Sequence, residues 1–191
     1  MAPGHHGVSR LSALLDSLQA DHRGLALTCQ GGDLDIPLAA SGLRIVLGHL
    51  LTHAAQHGAT RVDLRVSSPE GRTVPGVSDN GKGVAKGNRD QIFTPFFTTT
   101  REPGGTGMGL TIAANLLAAH GAAIALRPGT PGATFALTFG IADWRRLRAP
   151  ATGRMKFPNI SLTKNLIYMN YNDIPNIPRV GPPRDHPCNT C

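Results

Sequence analysis

The chain has 191 residues, 40% of them hydrophobic and 16% charged, with a formal net charge of +7. That suffices for one sizeable core, or one domain with an appendage, and the composition is that of a globular protein. No run of about 18 uncharged apolar residues is present to span a membrane, residues 1–10 lack the apolar stretch of a secretion signal, and three cysteines make no disulfide framework.

A cytoplasmic location is the resulting expectation. The positive charge invites a nucleic-acid reading, but its distribution argues against one. From Ile141 onward eight basic side chains face three acidic ones, so five of the seven net charges sit in that segment. A basic tail is ordinarily a solvated one, and no nucleic-acid or membrane-surface role is expected.

In chain order, Leu11, Leu14, Leu15 and Leu18 recur at helical spacing over residues 8–19. A short strand is expected over 25–29, followed by a Gly-Gly turn. Pro37 then precedes a long helix from Ala39 to His57, whose apolar stripe is Leu43, Val46, Leu47, Leu50, Leu51 and Ala54, with Gly58 as its stop. Val62, Leu64 and Val66 alternate with Arg61, Asp63 and Arg65, the pattern of a half-buried strand. Residues 73–78 read as a second strand, weakened by Pro75 and Gly76. A long irregular stretch from Asp79 to about Thr106 follows; loops of that length inside compact domains are usually lids or binding loops. A helix over 107–120 and two closing strands, 122–126 and 133–139, end the pattern. The order predicts an α/β fold, a two-layer sandwich of helices on a mixed sheet.

Near residue 150 the composition changes. Six asparagines fall in the last 41 residues against three in the first 150, and prolines cluster at 175, 178, 182, 183 and 187. The chain is accordingly divided into a linker helix at 1–22, a domain at 23–142 and a basic, poorly ordered extension at 143–191.

Three local patterns carry chemistry. Asp79-Asn80-Gly81-Lys82-Gly83 ends a strand, where a carboxylate can accept a hydrogen bond from an exocyclic amine and glycines let backbone approach a flat ring; DNG is equally a common hairpin turn. Ile92-Phe93-Thr94-Pro95-Phe96-Phe97-Thr98-Thr99-Thr100 places three phenylalanines in a loop, suited to local packing or to a lid hinge. Gly104-Gly105-Thr106-Gly107-Met108-Gly109-Leu110 opens a helix, where backbone N–H groups and the helix dipole favour an anion; the run lacks the Lys-Ser/Thr of a P-loop and the Rossmann spacing.

These patterns follow one another within about 30 residues. Together they resemble the two glycine boxes and the phenylalanine box of the histidine-kinase branch of the ATPase superfamily that includes DNA gyrase, the heat-shock chaperone ATPases and MutL. Gly132-Ala133-Thr134-Phe135 is similar to that family's last strand. The resemblance covers about 100 residues. It implies a Bergerat-type fold holding ATP or ADP between the helices under a lid at 86–104. It also implies Asp79 against the adenine amine, with Gly81, Gly83 and Thr134 near the ring. Gly105, Thr106, Gly107, Met108, Gly109 and Leu110 would stand on the phosphate side, and Phe93 and Phe96 would be the lid's packing anchors.

The family's asparagine box lies on the first long helix. Here it reads His49-Leu50-Leu51-Thr52-His53-Ala54-Ala55-Gln56-His57, with histidine in place of both asparagines. In the family the second asparagine holds Mg²⁺ against the phosphates, whereas imidazole suits softer metals. Two expectations stand side by side. In one the site is degenerate, with weak or no Mg²⁺-ATP binding. In the other His49 and His53, with His57, serve an altered metal.

No histidine of the chain has the context of a phosphoacceptor hairpin, so the acceptor is expected on another chain or in the remainder of a longer kinase. The implied function is transfer of the ATP γ-phosphoryl to a histidine on a separate helical hairpin, within a two-component phosphorelay that ends on a response regulator. The alternative is a pseudokinase or interaction module, and a lone serine kinase of the anti-sigma type fits the residues least. A monomer is expected, since the family dimerises through the hairpin. His186, Cys188 and Cys191 offer three soft ligands, one short of an ordinary zinc set.

Overall fold

A computed structural model describes residues 7–69, 72–99, 105–127 and 132–139. The extension at 143–191 with His186, Cys188 and Cys191, the lid's last residues 100–104, and most of the turn between the closing strands lie outside the described residues.

The N-terminal leucine pattern is not one helix. Strand β1 (Ser9–Arg10) pairs antiparallel with β3 (Asp35–Ile36), a 3-10 turn covers Ser12–Leu14, and only then does α1 (Leu15–Asp21) begin. Distant partners explain the break. Ser9 Oγ donates to the Leu38 carbonyl at 2.8 Å, and the Ser12 N–H donates to Gly32 at 3.0 Å. These bonds satisfy backbone and side chain in a way a continuous helix would forgo. Leu11 and Leu18 are buried in the same core cluster as the stripe of the long helix. From residue 9 the segment expected as a linker is therefore packed into the domain.

Strand β2 (Ala26–Gln30) leads to α2 (Ala40–Gln56), whose buried residues are the stripe read from the sequence. Strand β4 (Arg61–Ser67) buries Val62, Leu64 and Val66 and turns Arg61 outward, so the alternation is that of a sheet with one face covered. Strand β5 (Val74–Asp79) contains Pro75 and Gly76 despite their poor strand character. Pro75 pairs with Val66, and the β7 pairing covers only Gly76–Ser78, so Pro75 leaves no ladder bond unmade on that side.

Helix α3 (Gly109–Ala119) precedes β6 (Ala123–Arg127) and β7 (Thr134–Thr138). The five-stranded sheet runs β2-β4-β5-β7-β6, with β2 parallel to β4 and the other neighbours antiparallel. α2 packs against α3, and their buried leucines meet Val62, Leu64, Ile124, Phe135 and Leu137 from the sheet. The fold is thus the expected α/β sandwich, a helical layer on a mixed sheet.

Candidate functional site

A cavity of about 710 Å³ opens between α2, the long loop and the start of α3. On α2 and its C-cap the wall is His49, Thr52, His53, Gln56 and His57, positions three and four apart and therefore on one face. The loop contributes Lys82, Gly83, Val84, Ala85 and Asn88, and further on Ile92, Phe97, Thr98 and Thr99. The glycine turn contributes Gly105, Thr106, Gly107, Met108, Gly109 and Leu110, and α3 adds Ile112. All six turn residues singled out in the sequence are brought together there, with the three histidines opposite.

The glycine turn is shaped by close approach. Gly107 has φ +66°, and a Cβ there would stand 2.5 Å from the backbone carbon of Phe96. The Phe96 N–H donates to the Gly107 carbonyl at 3.1 Å, clamping the loop onto the turn. α3 then starts at Gly109, its N-cap residue Met108 makes no side-chain capping bond, and the helix N-terminus opens at the cavity wall.

Asp79 is not among the residues of this wall. Its Oδ1 accepts from the Gly81 N–H at 2.8 Å and from the Ala133 N–H at 3.2 Å. Asn80 Oδ1 accepts from the N–H groups of Thr60 and Arg61, each at 2.9 Å. Asp79-Asn80-Gly81 is therefore not a hairpin turn: it leaves the sheet and is pinned to strand entries distant in sequence. Gly83 has φ +69°, and a Cβ there would lie 2.6 Å from the Gly132 carbonyl oxygen. Gly81 and Thr134 are likewise outside the wall, and Thr134 Oγ1 lies 3.1 Å from Ser78 Oγ.

The two phenylalanines expected as lid anchors divide. Phe93 is buried, its ring 6.4 Å from Phe135 in an edge-on arrangement. Phe96 is 76% exposed and takes φ 65°, a left-handed conformation unusual for a bulky side chain. It anchors through its backbone alone, and Phe97 is the neighbour that packs on the core and enters the wall. Spacing could not separate the three rings, because the loop's turn at Phe96 depends on Gly107.

His53 is the most enclosed of the three histidines, its ring 4.4 Å from that of His57 and 5.8 Å from Phe135. Burial, and then the neighbouring His57, push its pKa down to about 4. Burial also lowers His49. It lowers His57 too, where Asp79 opposes the shift and Lys82 adds to it. All three imidazoles are neutral at pH 7, each with one N–H donor and one lone pair. Among the described residues no group of three or more His, Cys, Asp or Glu side chains is placed to hold a metal ion.

Thr52, Gln56, Lys82, Asn88 and Phe97 belong to the wall but were not foreseen. Thr52 and Gln56 could have been found, since they share the face of His49 and His53 at helical spacing. Lys82 and Phe97 lie inside patterns the sequence singled out and Asn88 inside the expected lid, but nothing in those patterns marked these three side chains for the wall.

The chain belongs to the family of histidine kinase-, DNA gyrase B- and HSP90-like ATPases, whose sequence model matches residues 39–143. Within that family the domain is an ATP-binding domain of the histidine-kinase type. It is 44% identical over 85 residues to the sensor histidine kinase ZraS of Escherichia coli, covering 43% of this chain and 17% of that protein. It is 32% identical over 115 residues to the C4-dicarboxylate transport sensor protein DctB of Rhizobium meliloti, covering 54% of this chain and 18% of that protein. The chain thus spans under a fifth of the length of these relatives. The fold matches that of the mycobacterial sensor histidine kinase MprB with a TM-score of 0.60 at 20% identity, over 70% of this chain and 97% of that one.

Proposed function

We propose that this chain supplies the ATP-binding catalytic domain of a two-component sensor histidine kinase, which transfers the ATP γ-phosphoryl to a histidine on a separate helical hairpin. The observation that carries the reading is one cavity shared by the start of α3, the glycine turn and the polar face of α2. Its chemistry suits a nucleotide. Val84, Ile92 and Phe97 offer apolar wall for a flat base, with Gly83 beside them. Asp79, whose Oδ1 accepts from the Gly81 and Ala133 N–H groups, stands outside that wall, so the adenine amine would have to reach past the wall to meet its carboxylate. The N–H groups that open α3 meet phosphate oxygens, Lys82 adds a positive charge, and the loop through Phe97 shields the site from water.

The protein's work in such a transfer is positioning and electrostatic stabilisation, while the nucleophile is the hairpin's imidazole. The hairpin and a response regulator are the partners this reading requires, and the cytoplasm is where ATP would be met. A second reading, a nucleotide-binding interaction module without transfer, is favoured by His49 and His53 standing in the wall.

The test is incubation of the full chain with γ-labelled ATP and a separately purified kinase hairpin, alongside equilibrium binding of ADP. Acid-labile, alkali-stable label on the hairpin is the expected result. ADP binding without label would move the assignment to the second reading, and neither binding nor label would defeat both.

A further inference from the structure

The cation that accompanies ATP in this superfamily fits the cavity poorly. Mg²⁺ demands hard oxygen ligands in octahedral order, and protein sites usually give it one or two carboxylates. Among the described residues the wall contains no Asp or Glu; its oxygens are neutral hydroxyls and amides. Asp79 lies outside the wall, with Oδ1 already shared by the Gly81 and Ala133 N–H groups.

The face of α2 that looks onto the glycine turn is occupied by imidazoles. His49 is against the start of α3, where a Cβ on Gly109 would stand 3.4 Å from His49 Nδ1. His53 is wedged between His57 and Phe135, and Lys82 stands in the wall as well. Among its described residues the site is therefore rich in donors to an anion and poor in ligands to a cation.

We infer that this cavity binds its nucleotide without a divalent cation, the phosphate charge being met by the imidazole N–H groups of His49 and His53, the backbone N–H groups opening α3, and Lys82. The inference rests on the nucleotide-binding reading above and changes the ligand from a metal–nucleotide complex to the free nucleotide. Neutral imidazoles donate to phosphate oxygens without the cost of burying a second charge. Mg²⁺ in solution then competes with the protein for the phosphates instead of bridging them.

Calorimetric titration of the full chain with ADP, in EDTA and in millimolar MgCl2, tests this. The expected dissociation constant is unchanged or weakened by Mg²⁺, and a strengthening of about threefold or more would overturn the inference. The double variant His49→Asn with His53→Asn separates this failure from that of the underlying reading. Should the natural chain bind ADP in neither buffer while the variant binds it with Mg²⁺, the nucleotide site stands and the metal-free inference falls. Should neither protein bind under any condition, both fall. A variant that gains Mg²⁺-dependent binding where the natural chain binds indifferently assigns the difference to the two imidazoles.

Discussion

His53 and Gly107 show how much single positions carry. His53 holds its pKa near 4, below the ordinary 6.5, because protonation would place charge beside Phe135 and His57. The unfolded chain therefore takes up the proton first as pH falls. Stability is full above pH 6.5 and is lost between 6.5 and about 4, by on the order of 3 kcal/mol over the whole interval. Denaturation curves across that range are expected to flatten in His53→Asn; an unchanged slope would refute the assignment. At Gly107 a side chain would meet the Phe96 backbone at 2.5 Å with φ already positive. Gly107→Ala is expected to cost about 1–3 kcal/mol in chemical denaturation and to weaken ADP binding, since the turn and the loop can no longer touch.

At the scale of elements, the loop and α3 are one mechanical unit. Thr111, buried in the first turns of α3, donates its hydroxyl to the Phe93 carbonyl at 3.0 Å. Together with the Phe96–Gly107 bond, this ties the stem of the long loop to the helix that starts at the cavity wall. Thr111→Val keeps the shape and removes the donor to the Phe93 carbonyl. A loss of about 1–2 kcal/mol and faster amide exchange at Phe96 and Phe97 are expected. Exchange rates that match the natural chain would show the loop to be held by packing of Phe93 alone. Helix α2 was fully legible, because its stripe of six apolar residues at a 3.6 period needs no outside partner to be recognised. The N-terminal leucines obeyed the same period and misled, because Ser9 and Ser12 bond to residues some 20 to 30 positions away.

Across the whole molecule, the core decides where the domain starts. Leu11, Leu18 and Leu25 share one cluster with α2 and β4, so residues from 9 onward contribute to the same stability as the ATP-binding segment. Leu18→Ala is expected to cost about 2–5 kcal/mol in a single cooperative unfolding transition. If α1 were only a linker, thermal melts of that variant would overlay those of the natural chain. The matched family segment starts at residue 39, so this part of the core lies ahead of it.

By itself the sequence determined the α/β class, the helical stripe of α2, the alternation of β4 and the glycine turn at 105–110, because each is a local or periodic property of consecutive residues. It also placed histidine at two positions of a box that elsewhere carries asparagine. Only the tertiary structure decided that Phe97 and not Phe96 packs inward, that Asp79 spends one oxygen on Ala133 across the sheet, and that the described cavity wall holds imidazoles and no carboxylate. Those facts depend on hydrogen bonds and burial between residues far apart in the chain, which no spacing rule along the sequence can contain.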